Sequence, residues 1–283
     1  MVQVLLDYSA AAYYCRTSAC ETWLCSACLR HPHTQVTRVY DSEHNGNGFV
    51  GWDPDKGVII VAFAGTDTTS LKNWIDDIDS ILTPWPEDGC VHCRVHAGFL
   101  ATYGALQSQL LPAIQALLEQ HPQAPIWITG HSLGAALAVL CMLDLLALSY
   151  PVTQTTTFGQ PRVGNKEFSS FFNQTIIPSI PFFRLVHHRD PVPHLPPQSL
   201  GFHHSPFEVF YSEDESSYVI CDPTGEDKHC SNQYYIDANI NDHLSYLGVL
   251  FGAEELEGRM QEISSLRGVE VNEGGRVAAL SSL

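Results

Sequence analysis

Along this 283-residue chain the apolar positions alternate between two kinds of pattern. Val58–Phe63 is an unbroken apolar run behind the turn at Asp53-Pro54-Asp55, which fits a central strand covered on both faces. Between Gly98 and His121, residues Leu106, Leu110, Ile114, Leu117 and Leu118 recur near helical spacing. They predict an amphipathic helix, with Pro112 expected to kink or break it. Pro125–Thr129 reads as a second strand. Leu133–Ser149, apolar almost all round, reads as a buried helix. Thr155–Phe158 and Phe183–Val186 read as two more strands. Strands alternating with helices predict an α/β fold with a mostly parallel, doubly wound sheet. Between Thr69 and Ile81, residues Leu71, Trp74, Ile75, Ile78 and Ile81 sit among polar ones. That spacing fits two readings: a short amphipathic lid that swings open on an apolar surface, or a surface helix packed on the sheet.

The pattern changes near Gly252. From Glu254 to Leu283 there are no aromatics, and acidic residues outnumber basic ones. We read residues 1–252 as one domain and 253–283 as an extension, a helix over Ala253–Leu266 followed by a frayed or disordered tail. Acidic residues outnumber basic ones by 31 to 14 in the whole chain, a formal charge of −17. Such a charge repels nucleic-acid backbones and strongly anionic membranes. The longest strongly apolar helical run ends at Asp144, well short of the roughly 20 residues of a membrane span, so no transmembrane anchor is expected.

Nine cysteines leave at least one unpaired within the chain. Cys25/Cys28 and Cys90/Cys93 are C-x-x-C pairs, too far apart in sequence for a shared zinc site; local disulfides in an oxidising compartment fit them better. Cys221 and Cys230 flank a turn-rich segment that a disulfide could close in the same way, and Cys141 reads as a buried free thiol. Met1–Tyr14 carries Asp7 and no basic start, unlike a secretory signal. Asn173-Gln174-Thr175 is a glycosylation sequon.

The strongest chemical signal is Gly130-His131-Ser132-Leu133-Gly134, set between a predicted strand and a predicted helix. In that context G-x-S-x-G is a nucleophile elbow: the serine stands on a tight turn, and the helix N-terminus behind it aims amides at the reacting carbonyl. A serine nucleophile needs a base and an orienting acid, here expected in the order Ser, Asp/Glu, His. Asp190 lies just past a predicted strand, where such sheets assemble their sites; Asp214, Asp222, Asp237 and Asp242 also follow the serine. Pattern alone does not choose among histidines 187, 188, 194, 203, 204, 229 and 243, although His243 comes late enough to sit on a loop after the last strand. The histidine cluster lacks any fixed metal-binding spacing. Thr66, in Phe63-Ala64-Gly65-Thr66-Asp67, could supply an amide and a hydroxyl to an oxyanion hole beside the Leu133 amide, or could belong to a plain turn.

These residues resemble the fungal class 3 triacylglycerol lipases, a group that also includes feruloyl esterases. The matching pieces are Ala12–Cys15, Trp23–Cys28, Phe63–Thr66, Lys72–Ile75, His96–Phe99, Gly130–Gly134, Gly159–Asn165, Arg189–Pro197 and Asp242–Tyr246, spread over residues 5 to 252. The resemblance implies an α/β-hydrolase fold. It places the triad on Ser132, Asp190 and His243, the oxyanion donors on Thr66 and Leu133, and the lid on about residues 68–78. Trp74 would be the lid aromatic, with Leu71, Ile75 and Ile78 beside it. It also implies disulfides Cys25–Cys28 and Cys221–Cys230, while Cys90–Cys93 is similar to a pair of the feruloyl esterase branch. Neither a cofactor nor a metal is implied. The expected partner is a lipid or ester at a lipid–water interface, met by a secreted monomer. Feruloyl-type esterase, phospholipase A1 and an inactive lipid-binding scaffold are the competing readings. Three features depart from the family. No late cysteine is available for Cys15, which is left to pair with Cys20 or stay free. Residues from Ala253 onward match nothing, and the elbow continues as Gly134-Ala135.

Overall fold

The computed structural model describes residues 1–86, 89–175, 180–235 and 237–267. Its frame is an eight-stranded sheet: β1 (Gln35–Asp41), β2 (Gly46–Asp53), β3 (Val58–Phe63), β4 (Ile126–His131), β5 (Val152–Phe158), β6 (Phe182–His187), β7 (Glu208–Tyr211) and β8 (Tyr218–Ile220). The strands lie side by side in chain order. β3 to β7 are parallel, whereas β1–β3 and β7–β8 pair antiparallel.

β3 shows why its run is apolar throughout. Ile59, Val61 and Phe63 enter the core on one face, and Val58, Ile60 and Ala62 the core on the other, the strict two-residue alternation of a strand buried on both sides. The first core is closed by α3 (Ala97–Gln120), α4 (Leu133–Ala147) and α5 (Lys166–Thr175). The second is closed by α1 (Val2–Tyr14) with Tyr246 and Phe251. Helices therefore cover both faces, but the sheet is not doubly wound. With no reversal of strand order, successive crossovers of one hand fall on one face, and the N-terminal helix covers the other.

Three expectations are corrected by local physics. Pro112 does not interrupt α3, which runs on for two turns beyond it. Its ring sits on the exposed side, where the carbonyl it leaves without a partner can be solvated. The segment expected to be helical over Thr69–Ile81 forms only α2 (Leu71–Asp77). Asp76, Asp77 and Asp79 crowd its C-terminal end, where the helix dipole disfavours negative charge. Third, the strands begin before Val58, with a β1–β2 hairpin ahead of β3. β1 is half exposed at the sheet edge, so its apolar signal is weak. β2 is buried but rich in glycine, because a Cβ at Gly48 would lie 2.4 Å from the Ala62 carbonyl oxygen.

Beyond the sheet lie α6 (Ile240–Leu244) and α7 (Ala253–Arg267); the chain after Arg267 lies outside the described residues. Disulfides join Cys15 to Cys20, Cys25 to Cys28, Cys90 to Cys93 and Cys221 to Cys230, and Cys141 is a buried free thiol. Among the described residues no helix is long and apolar enough to cross a membrane.

Four imidazoles, those of His96, His131, His194 and His204, are buried, and burial holds each below the usual histidine range. Unfolded, they would titrate near 6.5. Below that pH the unfolded chain binds more protons than the folded one, so stability falls by up to about 1.4 kcal/mol per pH unit for each. Glu254 opposes them. Burial pushes its carboxyl up to about 7, so its contribution grows as pH falls from 7 towards the ordinary range. Four groups outweigh one. The melting temperature should drop by at least about 5 °C between pH 7 and pH 5, as followed by circular dichroism at fixed ionic strength. A flat or rising profile would contradict the assignment of these four as buried neutral groups.

Candidate active site

The C-terminal ends of β3, β4 and β6 converge on one edge of the sheet, the place where open α/β sheets gather chemistry. Ser132 sits between β4 and α4 with φ 59° and ψ −128°, a backbone region costly for any residue but glycine. Close packing holds it there. A Cβ on Gly130 would lie 2.2 Å from the Gly134 carbonyl oxygen, and one on Gly134 would lie 2.2 Å from that of Phe63. The two glycines let the start of α4 press onto β3, so the turn has no room to relax. Leu133 opens α4, and its N–H has no acceptor within the helix.

His243, on α6, donates from Nδ1 to Asp190, 2.8 Å from Oδ2 and 2.9 Å from Oδ1. Both side chains are fully buried. The Asp190 carboxylate also accepts from the Val192 amide (2.8 Å) and the Tyr246 hydroxyl (2.5 Å). Burial, with Asp190 beside it, pushes the Tyr246 phenol well above its ordinary range, so it stays a donor. Gly159, at φ +55°, packs against the pair: a Cβ there would lie 2.8 Å from Asp190 Oδ2 and 2.9 Å from His243 Nδ1. The atoms left over are informative. Ser132 Oγ, His243 Nε2 and Thr66 Oγ1 are each buried without a hydrogen-bond partner. Unpaired polar atoms in a core cost free energy unless something else uses them.

A second layer ties these parts together. The Tyr13 hydroxyl donates to His131 Nδ1 (2.7 Å). Nε2 of His131 donates to the His243 carbonyl oxygen (2.8 Å), which fixes its neutral tautomer. Burial first, and the charge of His243 second, hold His131 well below the usual histidine range, so it does not compete for a proton with its neighbour. Asp242 accepts from His188 Nδ1 and from the Arg189 amide, both at 3.0 Å, and so joins the segment before His243 to the loop before Asp190. Sequence reasoning gave no role to Tyr13, His131, Gly159 or Tyr246, and offered Asp242 only among the acids that follow the serine. Each lies inside one of the matching pieces, but nothing in the sequence says that they touch.

Beside Thr66 and Leu133 lies a cavity of about 250 Å3, lined also by Trp74, Ile78, His96 and Phe99. Of the four apolar residues of α2 and its end, Trp74 and Ile78 face this cavity. Leu71 is buried away from it and Ile75 does not line it. Two larger grooves, about 870 and 520 Å3, are lined by other residues. The expected histidine cluster is dispersed: His187 donates to the backbone carbonyl of Ser245, His204 bonds the Pro193 carbonyl, and His203 lines the groove of about 870 Å3. Trp85, beside the Cys90–Cys93 loop, packs edge-on against Phe168 in the core.

Residues 60–200 match the sequence profile of the family described as Lipase (class 3). The chain is 34% identical to a lipase of Rhizomucor miehei over 254 residues, 86% of this chain. The chain belongs to the class 3 lipase family. A lipase of Rhizopus niveus is 36% identical over 252 residues. The matched region spans 67% and 62% of these two relatives. A solved triacylglycerol lipase, whose catalytic centre is described as a serine protease triad, superposes with a TM-score of 0.79 at 30% identity, covering 89% of this chain and 96% of its own. In this class 3 lipase, Ser132 and His243 have no exposed surface, so the site is shut.

Proposed function

We propose that this class 3 lipase hydrolyses triacylglycerols through an acyl-enzyme, with Ser132 as nucleophile, His243 as base and Asp190 as the group that orients it. The observation that carries the reading is the set of unpartnered atoms: a serine hydroxyl on a strained elbow and a buried Nε2 whose imidazole is held by a carboxylate. Ser132 Oγ attacks the ester carbonyl as its proton passes to Nε2. Asp190 stabilises the imidazolium through Nδ1–H. The amides of Thr66 and Leu133 and the Thr66 hydroxyl receive the oxyanion. Nε2–H then protonates the departing glycerol oxygen, and water, activated by the same nitrogen, releases the fatty acid.

A shut site requires something to open, and α2 is the proposed lid. Trp74 and Ile78 lie over the cavity beside the oxyanion donors, while the far side of the helix carries Lys72 paired to Asp76 (2.7 Å). Moving α2 would expose Trp74 and Ile78 to a lipid–water interface. The four disulfides fit an extracellular protein. The chemistry calls for no metal or cofactor, and the site is complete within one chain.

The test is paired hydrolysis of emulsified long-chain triglyceride and of soluble methyl ferulate, with Ser132→Ala as blank. We expect strong activity on the emulsion and little on ferulate. The reverse result would establish a feruloyl esterase. Trp85 packs in the core rather than lining the cavity, which disfavours the Cys90–Cys93 loop as an aromatic pocket wall. Trp74→Ser should lower emulsion activity about tenfold while changing short soluble esters less than about twofold; equal losses on both would reduce α2 to a structural element.

A further inference from the structure

The helix α7 lies outside the pieces that carry the family resemblance, yet its charged side chains reach the loop that carries Thr66. Glu255 Oε1 lies between two guanidinium groups, 3.3 Å from Arg16 Nε and 2.7 Å from Arg259 Nη2. Each arginine also holds the loop. Arg16 Nη1 donates to the Gly65 carbonyl oxygen (2.8 Å), and Arg259 Nη2 donates to Asp67 Oδ2. The other oxygen of Asp67 accepts from the Thr69 amide (2.8 Å) and hydroxyl (2.6 Å), so this carboxylate also ties the turn that leads into α2. Thr66 is thus flanked by two residues whose polar groups are gripped from outside the sheet. At the root of α7, a Cβ on Gly252 would lie 2.6 Å from the Thr68 side chain, so the chain passes flush against the same loop.

We propose that α7 is an ionic clamp that sets the oxyanion loop, with Arg16 and Arg259 as positioning residues for Thr66. The proposal rests on the function argued above. An oxyanion hole works only when its donors stand where charge develops, and small misplacements cost rate rather than binding. The helix has independent anchors. Glu257 accepts from the Ser26 amide (2.8 Å) and hydroxyl (2.7 Å), and Gly258 packs on Thr17. Removing Arg259, which is half exposed, therefore removes the grip without undocking the helix.

The probe is p-nitrophenyl butyrate, a soluble neutral ester that needs no interface, assayed at 25 °C. We expect Arg259→Gln and Asp67→Asn each to lower kcat about fivefold, with KM within about twofold. The double variant should be no slower than either single one, because both remove the same pair. Arg259→Lys should recover most of the rate. Salt near 1 M should slow the wild type towards Arg259→Gln and leave that variant unchanged. A kcat for Arg259→Gln equal to that of the wild type, whatever happens to the melting temperature, overturns the clamp, as do losses that multiply in the double variant. A wild-type protein inactive on every ester overturns the hydrolase reading instead, and the clamp with it.

Discussion

Ser132→Ala is expected to abolish ester hydrolysis, lowering kcat by roughly 10⁵- to 10⁶-fold, while leaving the protein as stable as before or slightly more so. Both halves follow from the same atom. Oγ is the group at the elbow that forms the acyl bond, and alanine has nothing to put in its place. The hydroxyl is also buried without a hydrogen-bond partner, so folding bears the desolvation of a group the fold itself does not use. Alanine keeps the Cβ and the strained backbone of position 132 and removes that unpaired oxygen. Kinetics on a soluble ester, labelling with a fluorophosphonate and a thermal melt check the two halves separately. Activity above about one thousandth of wild type would exclude Ser132 as nucleophile. A melting temperature lower by several degrees would show that the hydroxyl has a structural partner.

Asp190→Asn should cost about 10⁴-fold in kcat with a much smaller change in KM. Asp190 receives three kinds of donor at once: His243 Nδ1–H, the Tyr246 hydroxyl and the Val192 amide. An asparagine has one oxygen and one NH2. If the oxygen serves His243, the NH2 meets the Tyr246 hydroxyl. If the NH2 turns to Nδ1, it stabilises the tautomer that carries its proton on Nε2, which cannot act as a base. The pocket offers no room for rearrangement, because Gly159 is packed against both partners. Rate measurements with saturating soluble ester test this directly. A loss below about tenfold would mean that Asp190 is not the group that orients the imidazole.

The features the sequence declared were those in which one short segment holds both the signal and its cause. Val58–Phe63 is apolar at every position because β3 is buried on both faces. Gly130 and Gly134 flank Ser132 because the turn brings one against the other's carbonyl. The disulfides Cys25–Cys28, Cys90–Cys93 and Cys221–Cys230 are also local, whereas the sequence left Cys15 either to pair with Cys20 or to stay free. Asp190 could be placed at a strand end from its position after Phe183–Val186, but the choice of His243 over six other histidines came from resemblance, since its partner is far away in sequence.

The remainder is made of contacts between distant segments, each built from residue types with many other uses. No property of Tyr13 announces His131, and none of Tyr246 announces Asp190. The same holds for the course of α3 past Pro112, which depends on which side of the helix faces water. It holds too for α7: the helix expected over Ala253–Leu266 forms, but nothing in its polar sequence announces that Glu255 and Arg259 lie against Arg16 and Asp67. The chemistry available, a serine elbow with an acid and a base to follow, and the alternation that builds the sheet are written in the chain order. Which of those groups meet, and which buried atoms are left without partners, came from the fold alone, because those facts depend on the packing of segments that the chain order keeps apart.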